Sequence, residues 1–411
     1  MKGFVSFLHM IRSIVNRPLE KIVYHVSGFF IRDKKLWVMG AQKKSFSCNP
    51  KHFFINTSLN KELKIRCVWI SKNKEIVSEI RGMGLKAENL RSLKGVYYCL
   101  KAGFYFINSD TKDICFVLSK GARYVNMWHG IPLKKIQNDN DKNEVNVLRV
   151  KRRERASSFD KIFNPRDLFT YDYLLSTSDY VTEYSFSSAF DIPKERCLSL
   201  GYPRTDIFFK NKNEIDLHVK NYSKDLIPVV EWVKTKGKVY LYAPTWRDTK
   251  KDFIELSGID FVELDEWLVE KNYCFLLKMH PYTNIDLSLL NGLESIKVVD
   301  KKADIYPLMT YVDTLITDYS SIYFDFILMD KPVVFFPFDI KEYLEDCRSF
   351  YLDYYKVTPG FKVYSYKEML EVLSSPCDEE LVSEREKIRR RFWGGSCGNS
   401  SEELALKLMK L

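Results

Sequence analysis

The stretch Val312-Asp313-Thr314-Leu315-Ile316-Thr317-Asp318-Tyr319-Ser320-Ser321-Ile322-Tyr323-Phe324-Asp325-Phe326-Ile327-Leu328-Met329-Asp330-Lys331-Pro332-Val333-Val334-Phe335-Phe336 decides the fold. Val312–Ile316 reads as a buried strand, Ile322–Met329 as a helix, and Lys331–Phe336 as the next strand. Strand, turn, helix and strand in succession make one unit of a parallel α/β sheet. The turn Thr317–Ser321 falls at a strand's carboxyl end, where such sheets keep their ligands. A helix start leaves main-chain N–H groups free and the Ser hydroxyls add donors, so a phosphate fits there. Plain capping of the helix by Asp318 or Ser320 is the competing reading of the same residues.

Working outward, a second-half series of strands is expected at Lys238–Ala243, Tyr273–Met279, Ile296–Val299, Thr314–Ile316 and Pro332–Phe336, with helices at Phe261–Glu270 and Ile305–Met309. The first half offers strand candidates at Val23–Phe30, Leu36–Met39, His52–Ile55, Ile65–Trp69, Phe104–Ile107, Ile114–Leu118, Tyr124–Trp128, Tyr171–Leu175 and Cys197–Leu200. Lys74–Met83 and Leu90–Leu100 supply helices between them. Two alternating series predict an α/β protein with two doubly wound, Rossmann-like domains facing across a cleft. The Lys- and Asn-rich segment after Phe209 marks the boundary. The expected division is 1–210, a linker over 211–237, and 238–411. Asp378–Arg391 and Ser401–Leu411 read as closing helices.

The chain has 411 residues and a net charge of +10, with 45% hydrophobic and 29% charged residues. That composition is globular, and the charge favours anionic partners. A nucleic-acid partner is not expected, because no helix-turn-helix, zinc-finger or ribonucleoprotein motif is present. Nine scattered Cys form no C-x-x-C pair, and none of the six His stands at metal spacing from a Cys. Reduced thiols are expected, and no metal. Residues 1–20 place Phe4, Phe7, Leu8, Ile11, Ile14 and Val15 on one helical face, too short an apolar run to span a bilayer. They suit either an anionic membrane surface or the protein's own body.

Four more strand ends carry chemistry. Trp128-His129-Gly130-Ile131-Pro132-Leu133-Lys134 sets a His where the chain turns; it suits a general base, or is merely a satisfied turn His. Gly130 permits close backbone approach and Pro132 fixes the loop. Lys278-Met279-His280-Pro281 puts Lys278 and His280 on one side of a strand, a cationic pair for a diphosphate. In Ala243-Pro244-Thr245-Trp246-Arg247, Thr245 and Arg247 suit a phosphate, unless the Arg is simply a surface residue. In Gly201-Tyr202-Pro203-Arg204-Thr205-Asp206, Arg204 either reaches the cleft or pairs with Asp206 at the hinge.

Taken in order, these motifs, with Asp304-Ile305-Tyr306, the Thr317–Asp325 run and Phe350-Tyr351-Leu352-Asp353-Tyr354, resemble the CDP-glycerol glycerophosphotransferase family, the teichoic acid primases and polymerases. The resemblance runs from about Tyr124 to the C-terminus. It implies a two-domain GT-B fold with the nucleotide donor held mainly by the C-terminal domain. It implies transfer of glycerol phosphate, or a related polyol phosphate, from a CDP-linked donor to a hydroxyl of a lipid-linked or polymeric, phosphate-rich acceptor, with release of CMP. His129 matches the family's general base and His280 a second essential His. Arg204, Pro244, Thr245, Lys278, Ser320, Ser321 and Asp325 match donor-contacting positions. Gly130, Ile131, Pro132, Leu133, Arg247, Met279 and Asp318 complete the expected substrate-binding set. CDP-glycerol serves as a substrate, and no cofactor or metal is expected. Ile131 stands where Thr is frequent, and Gly398-Asn399-Ser400-Ser401 departs from the usual tail, so the polyol and acceptor stay open. The expected setting is teichoic-acid-like or capsular polymer synthesis, peripheral to the cytoplasmic face of an anionic membrane. Competing readings are a nucleotide-sugar glycosyltransferase on the same fold and a non-catalytic polyanion- or membrane-binding protein.

Overall fold

The structure, a computed structural model, describes residues 18–42, 45–140, 155–245, 256–279, 287–346, 349–374, 379–395 and 398–411. Residues 1–17, Arg247 and His280 lie outside these, and with them most of the expected amphipathic segment and two expected site residues. Among the described residues two parallel sheets form. The first holds β1 (Asp33–Met39), β2 (Arg66–Ser71), β3 (Ala87–Asn89), β4 (Ala102–Ile107), β5 (Arg123–Asn126), β6 (Tyr173–Ser176) and β7 (Cys197–Ser199), in the order β3-β2-β1-β4-β5-β6-β7. The second holds β8 (Lys238–Tyr242), β9 (Tyr273–Leu277), β10 (Ile296–Val298), β11 (Thr314–Thr317), β12 (Val333–Phe335) and β13 (Phe361–Lys362), in the order β10-β9-β8-β11-β12-β13. Each sheet grows in both directions from its first strand, so strand order reverses between β1 and β4 and between β8 and β11. Those reversals are the switch points where doubly wound sheets bind ligands. Residues 211–237 between the sheets contain helices Lys212–Tyr222 and Ile227–Val233.

Three strand expectations are corrected. His52–Ile55 lies inside helix Cys48–Leu59, whose residues Asn49 to Ile55 are all buried. Its short run Phe53-Phe54-Ile55 is apolar and buried, and a run that short cannot be told from a buried strand by its pattern. Residues 18–27, overlapping Val23–Phe30, are helical, and Phe116–Leu118 makes one 3-10 turn. β3 and β13 are too short to show a period of two.

The main apolar cluster is continuous across both halves: it contains Trp37, Phe53 and Trp128 together with Tyr306, Tyr323 and Trp393. Polar ties add to it. Lys134 and Phe350 form an antiparallel bridge, and the Tyr351 N–H donates to the Leu133 carbonyl at 3.0 Å. On the opposite side Asp304 takes Lys51 at 3.1 Å and His52 at 2.8 Å, all three buried. The last helix, Ser400–Met409, returns to pack on Cys48–Leu59. Its first N–H groups, of Ser400 and Ser401, donate to the Asp206 carboxylate at 2.9 Å each. Asp206 is therefore a helix cap and not the partner of Arg204. No described helix is long and apolar enough to cross a membrane.

Candidate active site

A cavity of about 350 Å³ lies where the two sheets face each other. Trp128 to Lys134 and Ile136 line it from the first half; Pro244, Thr245, Tyr319, Ser320, Ser321 and Tyr343 line it from the second. Sequence-expected residues from three strand ends, those of β5, β8 and β11, thus meet in one space.

The β5 turn is held by three asparagines. The Trp128 N–H donates to Asn126 Oδ1 at 2.9 Å, and Asn49 Nδ2 donates to the carbonyls of Met127 and Trp128, both at 3.0 Å. Trp128 has φ +47°, a costly left-handed conformation for so bulky a residue, and these bonds keep it there. The twist presents His129 to the cavity. Its Nδ1 lies 2.9 Å from the Asn108 carbonyl, which can only accept. Nδ1 therefore carries the proton, and Nε2 keeps its lone pair. The residue is exposed to the cavity, with the protein of both walls crowded around its ring. Desolvation lowers its pKa to about 4; the Asn108 bond opposes that and the Arg204 cation adds to it. At neutral pH it is an unprotonated imidazole, a ready base. Gly130 follows with φ +154°, and a Cβ there would stand 3.0 Å from Ser321 Oγ of the facing lobe. Only glycine lets the two walls come so close.

On the second wall Asp318, fully buried, accepts the N–H of Thr245 at 2.8 Å and of Tyr319 at 2.5 Å. Thr317 Oγ1 donates to the Ala243 carbonyl at 2.7 Å. Asp318 thus braces the β8 and β11 loops against each other. The N-cap of helix Ile322–Phe326 is Ser321, whose side chain makes no capping bond, and Ser320 Oγ accepts the Ile322 N–H only at 3.4 Å. Two Ser hydroxyls on the cavity wall are therefore little engaged in capping.

Arg204 and Asp325 meet each other beneath the cavity. Arg204 Nη2 lies 2.5 Å from Asp325 Oδ2, both side chains nearly inaccessible, and Tyr306 donates its hydroxyl to the same oxygen at 2.5 Å. Arg204 Nη1 also donates to the His129 carbonyl at 2.8 Å. One buried charge pair from opposite lobes thereby supports the His129 turn. Lys278 donates to the carbonyls of Asp300 and Ala303, and burial lowers its pKa to about 8. Neither it nor Met279, packed in the second core cluster, borders the cavity. Ile131 and Leu133 border it while burying their side chains in the main core. Sequence reasoning missed Asn49, Asn108, Asn126 and Tyr343. A lone Asn in a helix or at a strand end has no sequence signature; only the unsatisfied carbonyls of a positive-φ turn would call for one.

The CDP-glycerol:poly(glycerophosphate) glycerophosphotransferase family description matches residues 21–410. The teichoic acid poly(glycerol phosphate) polymerase of Bacillus spizizenii is 30% identical, over 97% of this chain and 98% of its own length. The teichoic acid glycerol-phosphate transferase of Staphylococcus aureus is 27% identical, over 98% and 100%. The solved wall teichoic acid polymerase TagF superposes over 100% of this chain and 97% of its own with a TM-score of 0.74 at 26% identity, in a histidine variant. Another histidine variant, soaked with CDPG, gives 0.72 at 26%.

Proposed function

The chain belongs to the CDP-glycerol:poly(glycerophosphate) glycerophosphotransferase family, and we propose that its cleft moves glycerol phosphate from CDP-glycerol to an acceptor hydroxyl in teichoic-acid-like polymer synthesis. His129 Nε2 takes the proton of the acceptor hydroxyl. The freed oxygen attacks the phosphorus that bears glycerol, the bond from that phosphorus to the bridging oxygen breaks, and CMP leaves. Ser320 and Ser321, with the N–H groups of their turn, receive the donor's phosphate oxygens. Such a displacement needs positioned charge and a base more than covalent help. The observation that carries this reading is the shared cavity: a neutral His whose tautomer leaves Nε2 basic, across from two Ser hydroxyls of the other lobe. CMP release from CDP-glycerol, measured with a glycerol-phosphate-primed lipid acceptor, tests it. His129→Ala should slow turnover roughly 10²-fold or more with donor affinity kept; turnover at the wild-type rate would remove His129 from the role of base. Product masses with CDP-glycerol and CDP-ribitol settle the polyol and the number of units added.

The acceptor is lipid-linked and the protein works at the inner membrane face. Leu19, Ile22, Phe159 and Ile162 are exposed, and His25 bonds the Ile162 carbonyl at 3.0 Å, so residues 18–27 and helix Ser158–Phe163 lie side by side and together form an apolar face, with Phe29 and Ile31 exposed just beyond. With the net charge of +10, that face suits an anionic bilayer. Salt-sensitive flotation with phosphatidylglycerol vesicles checks it.

A further inference from the structure

His129 keeps Nε2 basic because the Asn108 carbonyl accepts at Nδ1, and that carbonyl is itself held. The peptide joining Asn108 to Ser109 is trans, so its C=O and its N–H point in opposite directions. The C=O faces His129 Nδ1 at 2.9 Å; on the other side the Ser109 N–H donates to Asp113 Oδ2 at 2.9 Å. One rigid plane therefore stands between a carboxyl group and the base. Asp113 Oδ2 also accepts the Asn108 N–H at 3.1 Å, and Asn108 Oδ1 accepts the Gln42 N–H at 2.9 Å. The end of β4 is thus fixed on both sides of the carbonyl that His129 uses.

Capping alone does not account for these bonds. Asp113 closes the turn Thr111–Asp113 by accepting the Asp110 N–H, but at 3.4 Å; the two shorter bonds reach past the cap to Asn108 and Ser109. Its own place is set by its N–H, which donates to the Asp110 carbonyl at 2.9 Å, and by close packing on the end of β1, where a Cβ on Gly40 would stand 2.6 Å from the Asp113 carbonyl oxygen. Asp113 borders a separate cavity of about 610 Å³, at the carboxyl ends of β1, β2 and β4, which shares no lining residue with the reaction cavity. It can reach the reaction only through Asn108.

We propose that Asp113 is a positioning residue for the base: through the Asn108–Ser109 peptide it fixes His129 in the Nδ1–H tautomer and aims Nε2 at the acceptor hydroxyl. The proton taken from that hydroxyl stays on Nε2, the Nδ1 proton stays bonded to the Asn108 carbonyl, and none passes to Asp113. Only Oδ2 takes the peptide bonds, so an amide oxygen in its place serves as well. The inference rests on the transferase reading of the cleft. The test uses the full chain with isotope-labelled histidine, the His129 nitrogen signals being those missing from a His129→Gln spectrum. Wild type should show Nδ1 protonated and Nε2 bare at neutral pH. Asp113→Ala should mix the two tautomers and lower kcat for CMP release roughly tenfold, as small misplacements of a reacting group do, with the KM of CDP-glycerol and of the acceptor unmoved. Asp113→Asn should restore both. Wild type with its proton on Nε2 overturns the proposal whatever the variants do. So does Asp113→Ala with the wild-type tautomer and kcat, or Asp113→Asn as slow as Asp113→Ala. A rise in both KM values with a fallen melting temperature also overturns it, since Asp113 would then only brace the loop. Absence of CMP release by wild type sinks the transferase reading instead, and the tautomer spectra still judge Asp113.

Discussion

The two sheets share a strand order but use their switch points differently. Between β8 and β11 the loops are laced together through Asp318 and Thr317, so the crevice is narrow and its rim faces the other lobe. Between β1 and β4 the crevice stays open, and the first lobe reaches the reaction site from β5, one strand off the reversal. One topology offers two crevices; the docking of the lobes decides which strand ends meet. A donor seat that must hold a leaving group in line benefits from rigidity.

That contrast can be broken most severely beneath the cleft. Asp325→Ala leaves Arg204 buried without its partner and should cost about 3–5 kcal/mol, read as a fall in the urea midpoint; a change near zero would mean that the lobes do not depend on the pair. Next in size, Gly130→Ala puts a methyl 3.0 Å from Ser321 Oγ in a left-handed backbone. CMP release should fall at least about tenfold, since small misplacements of reacting groups are costly, with a modest loss of melting temperature. Ser320→Ala/Ser321→Ala should raise the CDP-glycerol KM by roughly tenfold, about two modest hydrogen bonds, and leave the acceptor KM alone. An equal effect on both substrates would remove the serines from the donor side of the cleft.

The smallest effect concerns pH. Desolvation lowers the pKa of His218, stacked on His52, to about 3, and that of the cavity-facing His129 to about 4. Lys51 and Lys210 face His218 and add to the shift, while Asp304 opposes it. The unfolded chain protonates these rings near pH 6.5 and the folded one only lower, so the unfolded state binds more protons in between. Their contribution makes stability fall as pH drops from about 6.5 towards 4. Asp113, raised by burial to about 7, works the other way: its contribution is full below about 3.8 and is lost as pH rises through 7. His218→Gln should flatten the acid side of the stability curve, while turnover in wild type stays level down to about pH 5 because His129 remains neutral.

Much of the site was legible because strand ends announce themselves: an apolar run followed by His-Gly, Pro-Thr or Asp-Tyr-Ser-Ser fixes where chemistry sits along a strand. What could not be read was which of these residues face one another. Arg204 and Asp325 are 121 positions apart, and nothing local says that they pair, so Arg204 looked equally suited to Asp206. Asp318 looked like a cap because Asp at a helix start usually is one; its role in bracing a neighbouring loop exists only once β8 lies beside β11. Helix Cys48–Leu59 was misread as partly strand for the reason that makes it useful: packed on all sides, it carries Asn49 to the reaction turn and Lys51 and His52 to the opposite lobe.

The return of helix Ser400–Met409 onto Cys48–Leu59 has a mechanical consequence. The polypeptide passes between the lobes twice, once near Phe209 and again between Trp393 and Asn399, with Asp206 anchoring the second passage. A joint with two pins resists torsion of one lobe against the other, and so keeps the imidazole on its bearing towards the serines.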